Sequence, residues 1–210
     1  IVSTELGLKG IPDISESINI YRDIQILDYT NGKLHIPYVN TKRGVELIRE
    51  AKKRNLDITA STSLAHLIFS DKDINEFNTN LKLNPPLRSE IDCKSVKEGL
   101  IDGTIDYLTS MHEPLDLDNK KVVFDLATPG SIGLESVFGN MCNNFTLEKT
   151  IDILTRNKSI FQIEDHPIEK GSYADLTLFN PDKSYEFSNE HILSTSKNCA
   201  YLGTKLRGIV

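Results

Sequence analysis

Five histidines (His35, His66, His112, His166, His191) and three cysteines (Cys93, Cys142, Cys199) are the side chains best suited to hold a metal or attack a carbonyl. A zinc site gathers three or four ligands and usually contains a short-spaced pair such as H-x-H. No two of these histidines are spaced that way, and no two cysteines form CxxC. The chain also lacks GxGxxG, a phosphate-binding loop, GxSxG and HExxH. His35 lies in an apolar strand-like run, where a hydrogen-bonded core histidine is expected. His66 follows a second such run, a better place for function. Glu164-Asp165-His166 resembles a ligand cluster but precedes Pro167 in a turn-rich stretch and reads as a solvated loop. The richest segment is residues 105–118, IDYLTSMHEPLDLD. There a strand runs into a loop bearing Met111, His112, Glu113, Asp116 and Asp118, and parallel α/β folds do their chemistry beyond the C-terminal ends of strands. Two readings stay open: these side chains face the site, or His112 caps and packs while the acids are solvated.

The elements that must position these residues follow from periodicity. Residues 13–30 read as a helix opened by an Asp13-x-x-Glu16 capping box, with Ile18, Ile20, Tyr21, Ile24 and Leu27 on one broad stripe. Asn31-Gly32 ends it, Gly tolerating a left-handed cap. A strand is expected at 34–39 and a helix at 41–54 with Val45, Leu47, Ile48 and Ala51 inward. A second strand follows at 56–62, then a long polar connection through Asn84-Pro-Pro-Leu. Ser95-Val-Lys-Glu98 reads as another capping box, opening a helix with Val96, Leu100 and Ile101. The third strand is 105–109, followed by helical patterns near 131–140 and 146–156. Such alternation argues for a parallel α/β arrangement. The pattern changes over 157–170. Beyond it, 173–179 and 184–187 read as strands joined by Asn180-Pro-Asp, with Ala174, Leu176 and Leu178 on one face.

Composition narrows the function classes. The 210 residues carry 24 Lys+Arg against 30 Asp+Glu, a formal charge of −6 that argues against a nucleic-acid face. The one basic run, Lys52-Lys53-Arg54, falls at a helix end, where cations complement the dipole. No stretch approaches the length of a membrane span. Three scattered cysteines form no disulfide framework, which suits a reducing cytoplasm. The first residues, IVSTELGLKG, do not read as a signal peptide.

Five segments in order carry a resemblance: LGLKGIPDISESI, KLHIPYVNTKRGVELIREAKKRNLDITAS, NTNLKLNPPLRSEIDCKSVKEGLIDGTIDYLTSMHEPLDLD, PGSIGLESVFG and IEKGSYADLTLFNPDKSYEF. Together they resemble the second half of a dihydroorotase of the kind found in or beside multifunctional pyrimidine complexes, within the amidohydrolase superfamily. The resemblance implies a metal-bearing (β/α)8 TIM-type barrel and a β-sandwich built from both chain ends. Residues 1–160 would supply the second half of the barrel, and 161–210 the C-terminal part of the sandwich. The implied activity is interconversion of carbamoyl-aspartate and dihydroorotate, in which a metal-activated hydroxide attacks a cyclic amide and an Asp shuttles the proton.

Carried over residue by residue, the resemblance keeps Asn84, Pro129 and Gly130 as substrate contacts. It fails at the chemistry. The family's H-x-H, its bridging Lys or Asp and its strand-five His correspond to sequence before Ile1. HIxHVST becomes HIPYVNT, so Tyr38 stands where a metal-binding His is expected. TDHxPH becomes SMHEPL, so Met111 replaces the catalytic Asp and Leu115 a substrate-contacting His. A phenol rarely binds zinc and a thioether accepts no proton. The implication is a chain that holds none of the family's zinc and is not competent alone. Its expected partners are the missing N-terminal half or another chain, with a small-molecule substrate if active. The alternative is a non-catalytic scaffold for aspartate carbamoyltransferase or an active paralogue.

Overall fold

The structure, a computed structural model, describes residues 2–164 and 166–210. After a short helix α1 (Val2–Glu5), helix α2 (Ile14–Thr30) buries Ile20, Ile24 and Leu27, three residues at helical spacing. The expected stripe is split. Ile18 and Tyr21 point outward instead, 58% and 56% exposed, because Tyr21 lies about a quarter turn off the buried row and Ile18 nearly opposite it. The capping box also differs. Asp13 accepts from the Ile14 amide, but Glu16 turns to the N-terminus of the next helix, accepting from the amides of Asn40 and Thr41 and from Thr41 Oγ1. Asn31, not Gly32, takes the left-handed cap at φ 50°.

Strand β1 (Leu34–Ile36) stops short of the expected 39 because Pro37 offers no amide and Tyr38 sits at φ 54°. Helix α3 (Lys42–Lys53), capped by Thr41, buries Val45, Leu47, Ile48 and Ala51 as expected. Its basic end serves the fold: Lys52 Nζ reaches both Asp106 carboxylate oxygens at 2.8 Å, and Asp106 Oδ2 accepts the Ala60 amide at 2.7 Å. Arg54 pairs with Asp28.

Strand β2 (Ile58–Ser63) leads into a short helix α4 (Leu64–Ile68). Helix α5 (Glu90–Asp102) starts earlier than expected, because its capping box is Ser89–Asp92. Ser95 and Glu98 fall inside the helix, and Ile101 is exposed while Val96 and Leu100 are buried. Strand β3 (Tyr107–Thr109) completes a parallel sheet of order β1-β2-β3, in register Leu34↔Ile58 and Ser61↔Tyr107. The expected helix at 131–140 begins later, as α6 (Val137–Asn144), followed by α7 (Leu147–Thr155) behind its Thr146 cap.

Side chains alternate across this sheet. Leu34, Ile36, Ile58 and Ala60 share the face that α2, α3 and α5 cover, with Ile20, Val45, Ile48, Val96 and Leu100 in the core. The other face is polar and carries His35, Thr59, Ser61 and Tyr107, joined by hydrogen bonds.

The C-terminal part is an antiparallel pair, β4 (Asn180–Glu186) with β5 (Lys205–Ile209), packed on α6. The strand expected at 184–187 lies mostly within β4. The strand expected at 173–179 is not formed. Those residues pair with no strand among the described residues, and Leu176 and Leu178 are exposed. A strand needs a neighbour for its backbone groups, however good its alternation. No helix among the described residues is long and apolar enough to cross a membrane.

Candidate functional site

Three parallel strands point the same way, so the residues just beyond β1, β2 and β3 gather at one end of the sheet. They are Tyr38, His66 and the run Ser110–His112. Tyr38 and Met111 both adopt left-handed backbone, φ 54° and 48°. That conformation is sterically costly for a side chain with a Cβ, and it concentrates at functional sites. Met111 is buried, and Tyr38 is half-buried.

The histidines are engaged in the fold. His66 is buried, with Nε2 2.8 Å from the Pro85 carbonyl and Nδ1 2.8 Å from Ser63 Oγ. A carbonyl only accepts, so the proton is on Nε2 and Ser63 donates to Nδ1. Burial, then the nearby Arg88 charge, pushes its pKa down to about 4. His35 stacks on Tyr107 with ring centroids 5.3 Å apart. Its Nδ1 meets Thr59 Oγ1, and its Nε2 meets Ser61 Oγ and the Tyr107 hydroxyl. Burial lowers its pKa as well. His112 resolves towards capping: its Nδ1 accepts the Leu134 amide at 3.2 Å and the Gly133 amide at 3.4 Å. Asp116 and Asp118 are exposed. In Glu164-Asp165-His166, Asp165 lies outside the described residues, while His166 packs against the Tyr173 ring.

Zinc, which the resemblance implies for the family, finds no matching donor set among the described residues. Both nitrogens of His35 and of His66 already have partners, and Tyr38 offers a phenol. Among the described residues no three His, Cys, Asp or Glu side chains lie together as a metal group would require. No catalytic step through a metal follows from these residues.

The expected substrate contacts are better grouped. Asn84 and Pro129 are exposed, and the Asn84–Pro85 peptide is cis. Gly130 is buried at φ 134°, and its amide donates to the Lys82 carbonyl at 2.8 Å, drawing the two loops together. A Cβ at 130 would meet Glu113 Oε2 at 2.8 Å. Burial raises the pKa of Glu113.

Two supporting residues had no sequence signal. Asn198 is buried in an unremarkable LSTSKNCA stretch, yet its Nδ2 donates to the Glu113 carbonyl and its Oδ1 accepts the Leu115 amide. Arg88 is buried behind the Asn84 loop and donates to Asn40 Oδ1. The NPPLR run contained Arg88, but nothing in the sequence marked it as buried.

No family profile matches the chain. A dihydroorotase from Endomicrobium trichonymphae is 40% identical over 211 residues, covering 97% of this chain and 50% of that protein. One from Caldanaerobacter subterraneus is 38% identical over 217 residues, covering 100% of this chain and 50% of that one. The chain spans about half the length of the curated relatives it matches. Among solved structures, the L-hydantoinase (dihydropyrimidinase) of Arthrobacter aurescens superposes with a TM-score of 0.83 at 23% identity, over 94% of this chain and 47% of that one. The inactive dihydroorotase-like domain of a CAD-like multifunctional protein from Chaetomium thermophilum gives 0.64 at 19% identity, over 96% and 53%. These likenesses show the fold alone: the chain shares its α/β architecture with about half of each of those structures.

Proposed function

We propose that this chain, similar over its length to half of curated dihydroorotases, forms the C-terminal half of a dihydroorotase of pyrimidine biosynthesis and does not open or close the dihydroorotate ring by itself. Residues 1–160 supply barrel and 161–210 the sandwich segment. Asn84, Pro129 and Gly130 contact the small-molecule substrate. The observation that carries the reading is the pair Tyr38 and Met111. Both lie beyond the C-terminal ends of barrel strands, in left-handed backbone, where the family resemblance expects a metal ligand and a proton-shuttling carboxylate. Neither side chain can do that work: a thioether takes up no proton at neutral pH, and a phenol is a poor zinc ligand.

The test compares the unmutated chain with Tyr38→His/Met111→Asp, each mixed with the polypeptide matching the relatives' other half. Zinc content and ring-opening rate are measured. The expected result is zinc and turnover only in the double variant. Stoichiometric zinc with substantial turnover in the unmutated mixture would overturn the reading.

A non-catalytic partner role is the second reading, and the exposed, unpaired residues 173–178 favour it, with Tyr173, Leu176 and Leu178 open to solvent. Apolar side chains on an unpaired extended segment invite strand addition from another chain. The partner is the remaining half, an active paralogue, or aspartate carbamoyltransferase in an assembly. Co-purification with each of these decides between them.

A further inference from the structure

Taking Asn84, Pro129 and Gly130 as substrate contacts, as proposed above, we infer that Lys120, assisted by Lys82, is a positioning residue that locks the two loops carrying them into one unit. Lys120 follows a short turn of 3-10 helix, Leu117–Asn119, and is buried. Its Nζ donates to the Thr79 carbonyl at 2.9 Å and to the Thr128 carbonyl at 2.7 Å, and Thr79 Oγ1 donates back to the Lys120 carbonyl at 2.8 Å. Lys82 Nζ spans the same gap, donating to the carbonyls of Phe124 and Asp125 at 2.9 Å each. The Gly130 amide closes the set on the Lys82 carbonyl. Thr128 directly precedes Pro129, and Lys82 lies two residues before Asn84, so both substrate loops hang from this clamp.

The partners of the two ammonium groups indicate what they are for. Among the described residues no carboxylate is in ion-pair contact with either one, and the Glu113 carboxylate acts on Lys120 only from a distance. A buried cation such as Lys120 whose hydrogen bonds all go to neutral carbonyls is costly to desolvate, and a hydrocarbon side chain would fill the same volume at lower cost. What hydrocarbon cannot do is tie carbonyls from segments 41 and 8 residues away to a single atom. Burial, reinforced by the neighbouring Lys82 charge and only partly offset by the Glu113 carboxylate, brings the Lys120 pKa down to about 8. The clamp survives that titration, because a neutral amine still has two N–H donors for its two acceptors. On the far side Asn198 ties the Glu113 and Gly130 carbonyls together, so the loop bearing Gly130 is held from both directions.

The experiment is backbone hydrogen exchange by mass spectrometry on the ligand-free full chain, with Lys120→Met and Thr79→Val beside the unmutated protein. Lys120→Met should speed exchange about tenfold in both 78–84 and 124–131, each segment losing one charge-assisted hydrogen bond, while peptides of β1–β3 stay protected and the melting temperature holds. Thr79→Val should move both segments the same way by less. Faster exchange in one segment only, or in neither, overturns the clamp. Should Lys120→Met fail to fold, Lys82→Met must show the paired loosening. Calorimetric titration with dihydroorotate gives the functional arm, where affinity should fall about tenfold in Lys120→Met, the same hydrogen-bond energy read as binding. Unchanged affinity with both loops loosened overturns the positioning role. Absence of dihydroorotate binding in the unmutated chain counts against the substrate assignment alone, and the exchange result then decides the clamp.

Discussion

Acidification should destabilise the chain through one identifiable group, His66. Its ordinary pKa of 6.5 falls to about 4 in the fold because burial, more than the neighbouring Arg88, disfavours the imidazolium. A histidine whose pKa is lower folded than unfolded stabilises the native state fully above the unfolded value. That stabilisation drains away as pH falls from 6.5 and is exhausted below about 4. A fall from 6.5 to about 4 amounts to about 3 kcal/mol, a substantial share of a domain's net stability. Glu16 acts in the opposite sense, so the total pH profile mixes both, and a variant is needed to isolate His66. His66→Gln cannot charge. It should cost stability at pH 7, where the bonds to Ser63 and Pro85 are lost or bent, but should fall less steeply between pH 6.5 and 4. Urea unfolding at pH 7, 5.5 and 4.5 on both proteins measures the difference in slope. Parallel pH dependence in the two proteins would refute the argument, since it would mean that His66 carries no buried proton-binding penalty.

Glu16→Gln reverses the sign: burial raises the Glu16 pKa above 4.5, so its ionisation weakens the fold as pH rises through that range. The variant keeps an acceptor oxygen for Asn40 and Thr41 and should lose less stability than the native chain from pH 4 to 7, read by the same urea titrations. Ser89→Ala removes the hydroxyl that caps α5 and should cost about 1 kcal/mol, seen as a lower denaturation midpoint with unchanged slope. Ile48→Ala empties a fully buried site between α3 and the sheet and should cost about 2–5 kcal/mol by the same assay. Gly130→Ala forces a Cβ towards Glu113 at φ 134° and should cost about 1–3 kcal/mol, with faster hydrogen exchange at 128–131 as the local signature.

Much of this protein was legible in its residues. Periodicity located α2, α3 and the parallel strands, because burial of one face dictates apolar spacing regardless of what lies opposite. The inward set Val45, Leu47, Ile48 and Ala51 was recoverable for that reason. Tyr38 and Met111 stood out by comparison with a motif, and the structure added that both occupy left-handed backbone, which spacing does not reveal. Other features depend on partners distant in sequence. Glu16 leaves its own helix to cap α3, 24 and 25 residues away, and Lys120 reaches across 41 residues to Thr79. The residues 173–179 carry the alternation of a strand, but alternation states only which face would be buried. Whether a strand forms depends on a neighbour that accepts its backbone hydrogen bonds. His66 makes the same point at a single side chain: its position after β2 was visible in the sequence, whereas its neutrality comes from burial, the Pro85 carbonyl and the Arg88 charge converging in three dimensions.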